Sequence, residues 1–245
     1  MWPFARRPRE EPRAEAPRLV FTLAFAGLVS GLAIVGSYRL TLPTIRANQA
    51  AALERAVFEV LPGAERLQRL EWQGGALVAA EAEAADPDPA VYAGHTADGA
   101  LVGYAIPAAG AGYQDTIRLI YGYDPVGRRI VGMVVLESRE TPGLGDKIYK
   151  DEAFVAQFRE LAVDPEVVLV KEEATADNQV DAITGATVSS RAVVGIIQQA
   201  NAAWLARLGP DAPAPAADPG VLVPPGGERG GPGPGGRQGG LEEGP

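Results

Sequence analysis

The sequence predicts an α+β domain, an antiparallel sheet with packed helices, preceded by one N-terminal transmembrane helix. Two observations predict the domain: short β-rich runs alternate with turn residues over about 67–138, and a helical apolar stripe follows near residue 200. A third observation predicts the membrane helix. The 20 residues from Leu19 to Tyr38 carry no charge, and such a helix spans roughly 30 Å, the thickness of the hydrocarbon core of a bilayer.

The segment ahead of this run predicts its orientation. Five arginines precede the span, whereas only Arg39 and Arg46 follow closely, so the positive-inside tendency places residues 1–18 in the cytoplasm. We therefore expect a single-pass protein of the inner (cytoplasmic) membrane with its domain on the periplasmic side. A cleaved signal peptide is the competing interpretation, but its apolar region would be about 7 to 15 residues long. A buried helix of a soluble protein is a further alternative.

The remaining elements follow in order along the chain. Residues 39–64 have helical spacing that Pro62-Gly63 ends, which predicts a connecting helix. We place the extracytoplasmic domain at 65–208. Positions 210–245 hold eleven glycines and nine prolines in 36 residues, so 209–245 is expected to be a disordered tail.

Within the domain, the patterns predict two hairpins and two helices. Turn residues at Asp98-Gly99 and at 124–127 separate the strands of the two hairpins. The predicted strands are Val91–Thr96 with Ala100–Pro107, and Asp115–Tyr123 with Ile130–Glu137. The predicted helices are Asp151–Leu161 and Val188–Leu208.

Composition excludes several classes of function. The formal net charge is −9, which argues against nucleic acid as a partner, since phosphate backbones are bound by excess positive charge. The chain has no cysteine and one histidine, His95, so thiolate chemistry and metal sites built from several imidazoles are excluded. We predict that His95 is a surface residue at a strand end, and we assign no catalytic or metal-binding residue. Redox chemistry would need an organic cofactor.

Small and hydroxyl-bearing residues precede the last predicted helix, at 181–190. A helix N-terminus offers unpaired N–H groups and the positive end of its dipole, and both favour phosphate. Gly185 and Ala186 would let a ligand approach the main chain, and Thr187 offers a hydroxyl. Helix capping by Thr184, Thr187 or Ser189 explains the same residues without a ligand. The residue pattern alone leaves both interpretations open.

The segment Asp181-Ala-Ile-Thr184-Gly185-Ala186-Thr187 resembles the D-G-x-[ST]-G-A-[ST] acceptor motif of the FMN-binding domain family, with Ala182 in place of the glycine. In that family the last hydroxyl carries FMN through a phosphoester bond. The resemblance therefore implies covalent FMN on Thr187, with Asp181, Thr184, Gly185 and Ala186 around it.

A second segment, Glu140-Thr141-Pro-Gly-Leu144-Gly145, resembles the E-T-P-G-L-G segment that lies against the flavin in the same family. This match implies ring contacts from Glu140, Thr141 and Leu144. Taken from the residues alone, the segment could equally be a turn, which Pro-Gly favours.

With its single span, the chain is similar to the G subunits of Rnf-type ion-translocating electron transport complexes, over about 19–208. That resemblance implies electron transfer between ferredoxin and NAD coupled to ion translocation, other membrane subunits as partners, and a flavin transferase that attaches FMN from FAD with release of AMP. Two alternatives stay open: the C subunit of sodium-pumping NADH:quinone reductase or a stand-alone flavoprotein electron carrier, and a membrane-anchored scaffold without a cofactor.

Overall fold

The computed structural model describes residues 16–80, 90–171 and 173–208. The chain divides into two compact units at Ala51/Ala52. Most of the predicted cytoplasmic segment, residues 1–15, and the predicted disordered tail, 209–245, lie outside the described residues.

A single helix, α1 (Ala16–Val60), covers both the predicted membrane helix and the predicted connecting helix. Pro43 lies inside it; it removes one main-chain donor without ending the helix. Within the described part of the chain, this is the one helix long and apolar enough to cross a membrane, and its most apolar stretch has no buried residue. The core helix of a soluble protein would bury that stretch.

The second unit is built on a seven-stranded sheet in which all neighbouring strands are antiparallel. The strand order is β2-β1-β3-β4-β5-β6-β7. The strands are β1 (Arg66–Gln73), β2 (Ala76–Ala79), β3 (Ala90–His95), β4 (Leu101–Ala111), β5 (Thr116–Asp124), β6 (Arg129–Glu137) and β7 (Leu161–Ala162). Both predicted hairpins are confirmed as β3–β4 and β5–β6.

Two short strands, two short helices and one long helix complete the unit. The strands β8 (Val168–Val170) and β9 (Gln179–Asp181) form a separate, parallel pair. The helices are α2 (Lys147–Lys150), α3 (Glu152–Ala156) and α4 (Thr187–Trp204). The predicted helix at 188–208 is thus confirmed for most of its length as α4.

The predicted helix Asp151–Leu161 is wrong beyond Ala156. The chain leaves the helical conformation because Leu161 and Ala162 pair as β7 with Ile130 and Arg129 at the edge of the sheet. Glu160 adopts a φ of 61°, which a right-handed helix does not allow. Pairing at the sheet edge therefore overrides a helical sequence pattern.

The sheet buries apolar side chains on both faces, because successive residues of a strand point to opposite sides. On β4, Ala105 belongs to the core cluster that includes Val57 and Val60 at the end of α1. Its neighbours Tyr104 and Ile106 belong to the larger cluster with α4. The last turns of α1 and the length of α4 thus cover opposite faces.

His95 does stand at a strand end, the last residue of β3, but it is buried rather than on the surface. Burial lowers the pKa of its imidazole below the ordinary value, because desolvation disfavours the charged form. The predicted exposure was wrong because the chain entering β1 pairs here: Glu65 donates its main-chain N–H to the His95 carbonyl at 2.8 Å.

Candidate functional site

A cleft of about 420 Å³ opens where three segments of the second unit meet. These are the first turn of α4 with the residues before it, the loop after β6, and the turn between β4 and β5. The lining residues are Tyr113, Glu140, Thr141, Leu144, Gly145, Gly185, Ala186, Thr187, Val188 and Ser189. A cleft of this volume is large enough for a cofactor-sized ligand.

Helix α4 begins without a side-chain cap. Its N-cap residue is Ala186, which has no side-chain acceptor. Gly185, just before it, has a φ of +83°, a conformation that glycine adopts without strain. The first N–H groups of a helix have no partner within the helix, and those of Thr187, Val188 and Ser189 make no hydrogen bond to the described residues, so they are available as donors at the cleft.

The Thr187 hydroxyl makes no hydrogen bond to any part of the chain that the structure describes. By contrast, the hydroxyl of the nearby Ser190 makes two hydrogen bonds: it accepts from Ile183 N at 3.2 Å and donates to the Ala186 carbonyl at 3.0 Å. Ser190 is completely buried, whereas Thr187 is half-buried and faces the cleft. Thr187 is thus available for chemistry, and the capping role considered for it is absent from this geometry.

Glu140 joins the three segments. Its Oε1 accepts main-chain hydrogen bonds from Tyr113 N at 2.9 Å and Gln114 N at 3.0 Å. Its Oε2 accepts from the Ser189 hydroxyl at 2.5 Å. The residue is buried, and a Cβ at Gly145 would lie only 2.7 Å from Oε2. Both carboxylate oxygens are therefore committed to holding the cleft together.

Burial alone would raise the pKa of Glu140, because desolvation disfavours the charged carboxylate. Hydrogen bonds from the Ser189 hydroxyl and from the turn at 113–115 outweigh burial, so the pKa lies below its ordinary value. Glu140 is thus an anion at neutral pH.

The rim of the cleft is apolar and accessible. Tyr113 is 70% exposed, and Leu144 and Val188 are each 51% exposed. Exposed apolar side chains grouped around a concave site are typical of ligand-binding surfaces. The cleft therefore combines a free hydroxyl, helix N–H donors and an apolar rim.

Comparisons with known proteins agree with this arrangement. Residues 112–202 match the family model described as FMN-binding domain. The chain is 31% identical to the G subunit of the ion-translocating oxidoreductase complex of Methanosarcina acetivorans over 188 residues, which is 76% of this chain and 93% of the relative. The chain belongs to this G-subunit family.

A second relative is the G subunit of a Na(+)-translocating ferredoxin:NAD(+) oxidoreductase complex from Acetobacterium woodii. It is 29% identical over 183 residues, covering 72% of this chain and 85% of the relative. Among solved structures, the C subunit of the Na(+)-translocating NADH-quinone reductase from Parabacteroides distasonis is similar, with a TM-score of 0.55. The match covers 67% of this chain and 95% of that chain at 20% identity, a likeness that shows the fold.

The structure brings together six of the eight residues that the sequence assigns to the site. Glu140, Thr141 and Leu144 line one side of the cleft, and Gly185, Ala186 and Thr187 line the other. The two motifs that resemble the FMN-binding domain family therefore face each other across one space.

Asp181 and Thr184 are not among the residues that line the cleft. The Asp181 carboxylate accepts from Ala174 N at 2.7 Å, and its own N–H donates to Gln157 Oε1 at 2.6 Å. These bonds fix the segment that leads into the acceptor turn. Thr184 is exposed. A contact of either residue with a cofactor stays a prediction.

Sequence reasoning missed Tyr113 and Val188 as site residues, and it considered Ser189 only as a helix cap. Val188 and Ser189 directly follow the first motif, so their proximity to Thr187 was an available signal. The signal for Tyr113 was weaker: it lies between the predicted strands Ala100–Pro107 and Asp115–Tyr123, in a connection of the kind that often carries binding residues. Nothing in the sequence pairs that connection with Glu140.

The described residues fit FMN. A phosphate can take up the free N–H donors of α4, a phosphoester can form on the Thr187 hydroxyl, and apolar side chains line the rim for a planar ring. The observation that decides the fit is that this hydroxyl lies at the cleft and is not used by any hydrogen bond within the described residues.

Proposed function

We propose that this member of the G-subunit family transfers electrons within a membrane-bound ion-translocating complex and carries FMN covalently on Thr187. The observation that carries the proposal is the Thr187 hydroxyl, which has no hydrogen bond within the described chain, lies at the start of α4 and faces the cleft. The family membership and the match to the FMN-binding domain support it.

The attachment reaction is a phosphoryl transfer from FAD. The Thr187 oxygen forms a bond to the phosphorus on the riboflavin side, the bond to the bridging oxygen breaks, AMP leaves, and the hydroxyl proton passes to a base. The chain supplies the acceptor, and a separate flavin transferase supplies the catalysis. The phosphoester retains one negative charge, which the N-terminus of α4 stabilises by about 0.3 to 1 kcal/mol.

Once bound, the flavin would supply the electron transfer, while the protein holds and orients it. Tyr113, Leu144 and Val188 provide the apolar surface, and the main-chain donors of α4 hold the phosphate. A covalent tether keeps the cofactor in place in an extracytoplasmic space, where free FMN would be lost by diffusion.

The partners follow from the relatives. The Acetobacterium relative is named as part of a ferredoxin:NAD(+) oxidoreductase complex that translocates Na(+). We therefore propose that the chain relays electrons between other subunits of an Rnf-type complex, with coupling to ion transport.

Mass spectrometry of the full chain, coexpressed with a flavin transferase, tests the attachment. We expect one FMN on the peptide that contains Thr187, and complete loss of that mass in Thr187→Ala. Thr175→Ala is the matched control, because it removes an exposed threonine hydroxyl from a residue that does not line the cleft. Wild-type chain without the modification, or modification retained in Thr187→Ala, contradicts the proposal.

Labelling tests the proposed topology, in which α1 anchors the chain and the second unit lies outside the cytoplasm. The chain has no cysteine, so a single one can be introduced at Val126, which is 85% exposed. A membrane-impermeant maleimide should label Val126→Cys in intact spheroplasts, whereas Pro8→Cys should react only after lysis. The reverse pattern contradicts the orientation, and release of the chain from washed membranes contradicts the anchor.

A further inference from the structure

Glu140 is a charged group in the cleft wall that the attachment chemistry does not use. It is buried, yet it accepts three hydrogen bonds, two from main-chain N–H groups and one from the Ser189 hydroxyl. A carboxylate that receives donors at both oxygens is held in its ionised, acceptor-only form. Its charge is therefore fixed in position.

This charge is not neutralised by a cation. No lysine or arginine pairs with Glu140 within residues 16–80, 90–171 and 173–208; the nearby Arg139 pairs instead with Asp115 at 3.6 Å and Glu137 at 3.9 Å. Arg139 is also largely exposed, so solvent screens it. Glu140 thus contributes a negative charge without a cationic partner in the described chain, and it does so from a buried side chain, where electrostatic interactions are stronger than at the surface.

From these contacts we propose that Glu140 sets the reduction potential of the flavin, as a fixed anion in the wall of the cleft. The inference rests on the proposed function, because it requires a flavin on Thr187. Adding electrons to a flavin beside a fixed negative charge is disfavoured, so Glu140 holds the potential at a more negative value than the cleft would otherwise give.

Ser189 weakens the effect of the Glu140 charge on the flavin potential. Its hydroxyl points a positive hydrogen at Oε2, which offsets part of the negative field. Ser189 lies two residues after Thr187 in the first turn of α4, so the same turn carries the tether and moderates the charge. Removing the carboxylate charge and removing the hydroxyl should therefore move the potential in opposite directions.

The test is spectroelectrochemistry of the full, flavin-loaded chain in detergent, with mass spectrometry to quantify attachment. Glu140→Gln keeps the shape and an acceptor for Tyr113 N and Gln114 N but removes the charge. We expect the equilibrium constant for two-electron reduction to rise on the order of tenfold, a shift of about 30 mV to more positive potential.

Two variants complete the design. Glu137→Gln is the matched control: it removes the same charge from a partly exposed side chain that does not line the cleft, and it should leave the potential unchanged. Ser189→Ala should shift the flavin potential to more negative values. A general loosening of the cleft would instead shift the flavin potential in the same direction in Glu140→Gln and in Ser189→Ala.

The outcomes separate the two proposals. Wild-type chain without flavin overturns the proposed function, and the mass measurement reports this independently of any potential. With flavin present, an unchanged potential in Glu140→Gln, or the same shift in Glu137→Gln, overturns the role of Glu140. If Glu140→Gln carries no flavin, Ser189→Ala decides alone: a more negative potential supports the inference, and an unchanged or more positive potential overturns it.

Discussion

The two walls of the cleft use their polar groups in different ways. On the wall formed by α4, the Thr187 hydroxyl has no hydrogen bond within the described chain, and the helix starts at an alanine. On the opposite wall, both oxygens of Glu140 are occupied. One wall keeps a group free for reaction, and the other uses its polar group to hold the site in shape.

This difference shows that a residue of a binding motif can also hold the site in shape. Glu140 makes its hydrogen bonds to Tyr113, Gln114 and Ser189, and it lines the cleft as well. The ring contact that the resemblance to the FMN-binding domain family implies for Glu140 stays a prediction.

We expect the largest effect when the wall that Glu140 holds in shape is disturbed directly. In Gly145→Ala the new Cβ would lie 2.7 Å from Glu140 Oε2 and 2.9 Å from Ser189 Oγ. Overpacking of this kind costs about 1 to 3 kcal/mol, and we also expect flavin attachment to fall. Urea unfolding and mass spectrometry measure the two effects.

Gly195→Ala is the control for that substitution. Gly195 lies in the exposed part of α4, and a Cβ there would meet nothing within 4 Å. This change should stabilise the unit by about 0.5 to 1 kcal/mol, since alanine is the better helix former. Equal stability of the two variants would show that the packing around Glu140 is not tight.

Two tyrosines on β5 differ in the same way as the two walls, since one hydroxyl is hydrogen-bonded and the other is not bonded within the described chain. The Tyr121 hydroxyl donates to Asn201 Oδ1 at 2.8 Å, and both residues are buried. The Tyr123 hydroxyl is buried without a hydrogen-bond partner in the described chain. Tyr121→Phe should destabilise by about 1 to 2 kcal/mol, because it leaves Asn201 unsatisfied.

Tyr123→Phe should be neutral or stabilising in the same thermal or urea titration, because it removes a buried polar atom that has no partner within the described residues. A loss of stability in Tyr123→Phe that matches the loss in Tyr121→Phe would show that another group, such as water, satisfies the Tyr123 hydroxyl.

The smallest expected effect is on pH dependence. Glu140 has a folded-state pKa below its ordinary value, so its ionised form stabilises the fold. That contribution is fully present above the unfolded pKa of about 4.3 and is lost as the pH falls through the lower folded value. We therefore expect the unfolding free energies of wild type and Glu140→Gln, measured from pH 6 to pH 3, to approach each other at acidic pH. A constant difference over this pH range would contradict the lowered pKa of Glu140.

The hairpins and the long helix α4 could be predicted from the sequence, because their conformation depends on residues that are close together along the chain. The turn residues Asp98-Gly99 mark the hairpin of β3 and β4, and the apolar stripe marks α4. The short strands and helices were harder to predict from the sequence. The pairing of β8 with β9 and the early end of α3 depend on contacts with distant strands, which a local pattern does not encode.

The two motif segments of the site could be predicted from the sequence, but the third segment, the turn at 112–115, could not. Tyr113 reaches Glu140 across 27 residues of sequence, and the intervening hairpin contains register shifts at Arg118/Leu119 and Gly122/Tyr123. Such bulges change how far one strand advances against the other. The position of the 112–115 turn relative to Glu140 is therefore fixed by tertiary structure.

The alanine at the start of α4 has a consequence for biogenesis. No hydrogen bond among the described residues depends on the Thr187 oxygen, so esterifying that oxygen removes nothing that the polypeptide needs in order to become compact. Under the proposed attachment, we therefore expect the second unit to fold before FMN is joined to it, so that loading would follow folding.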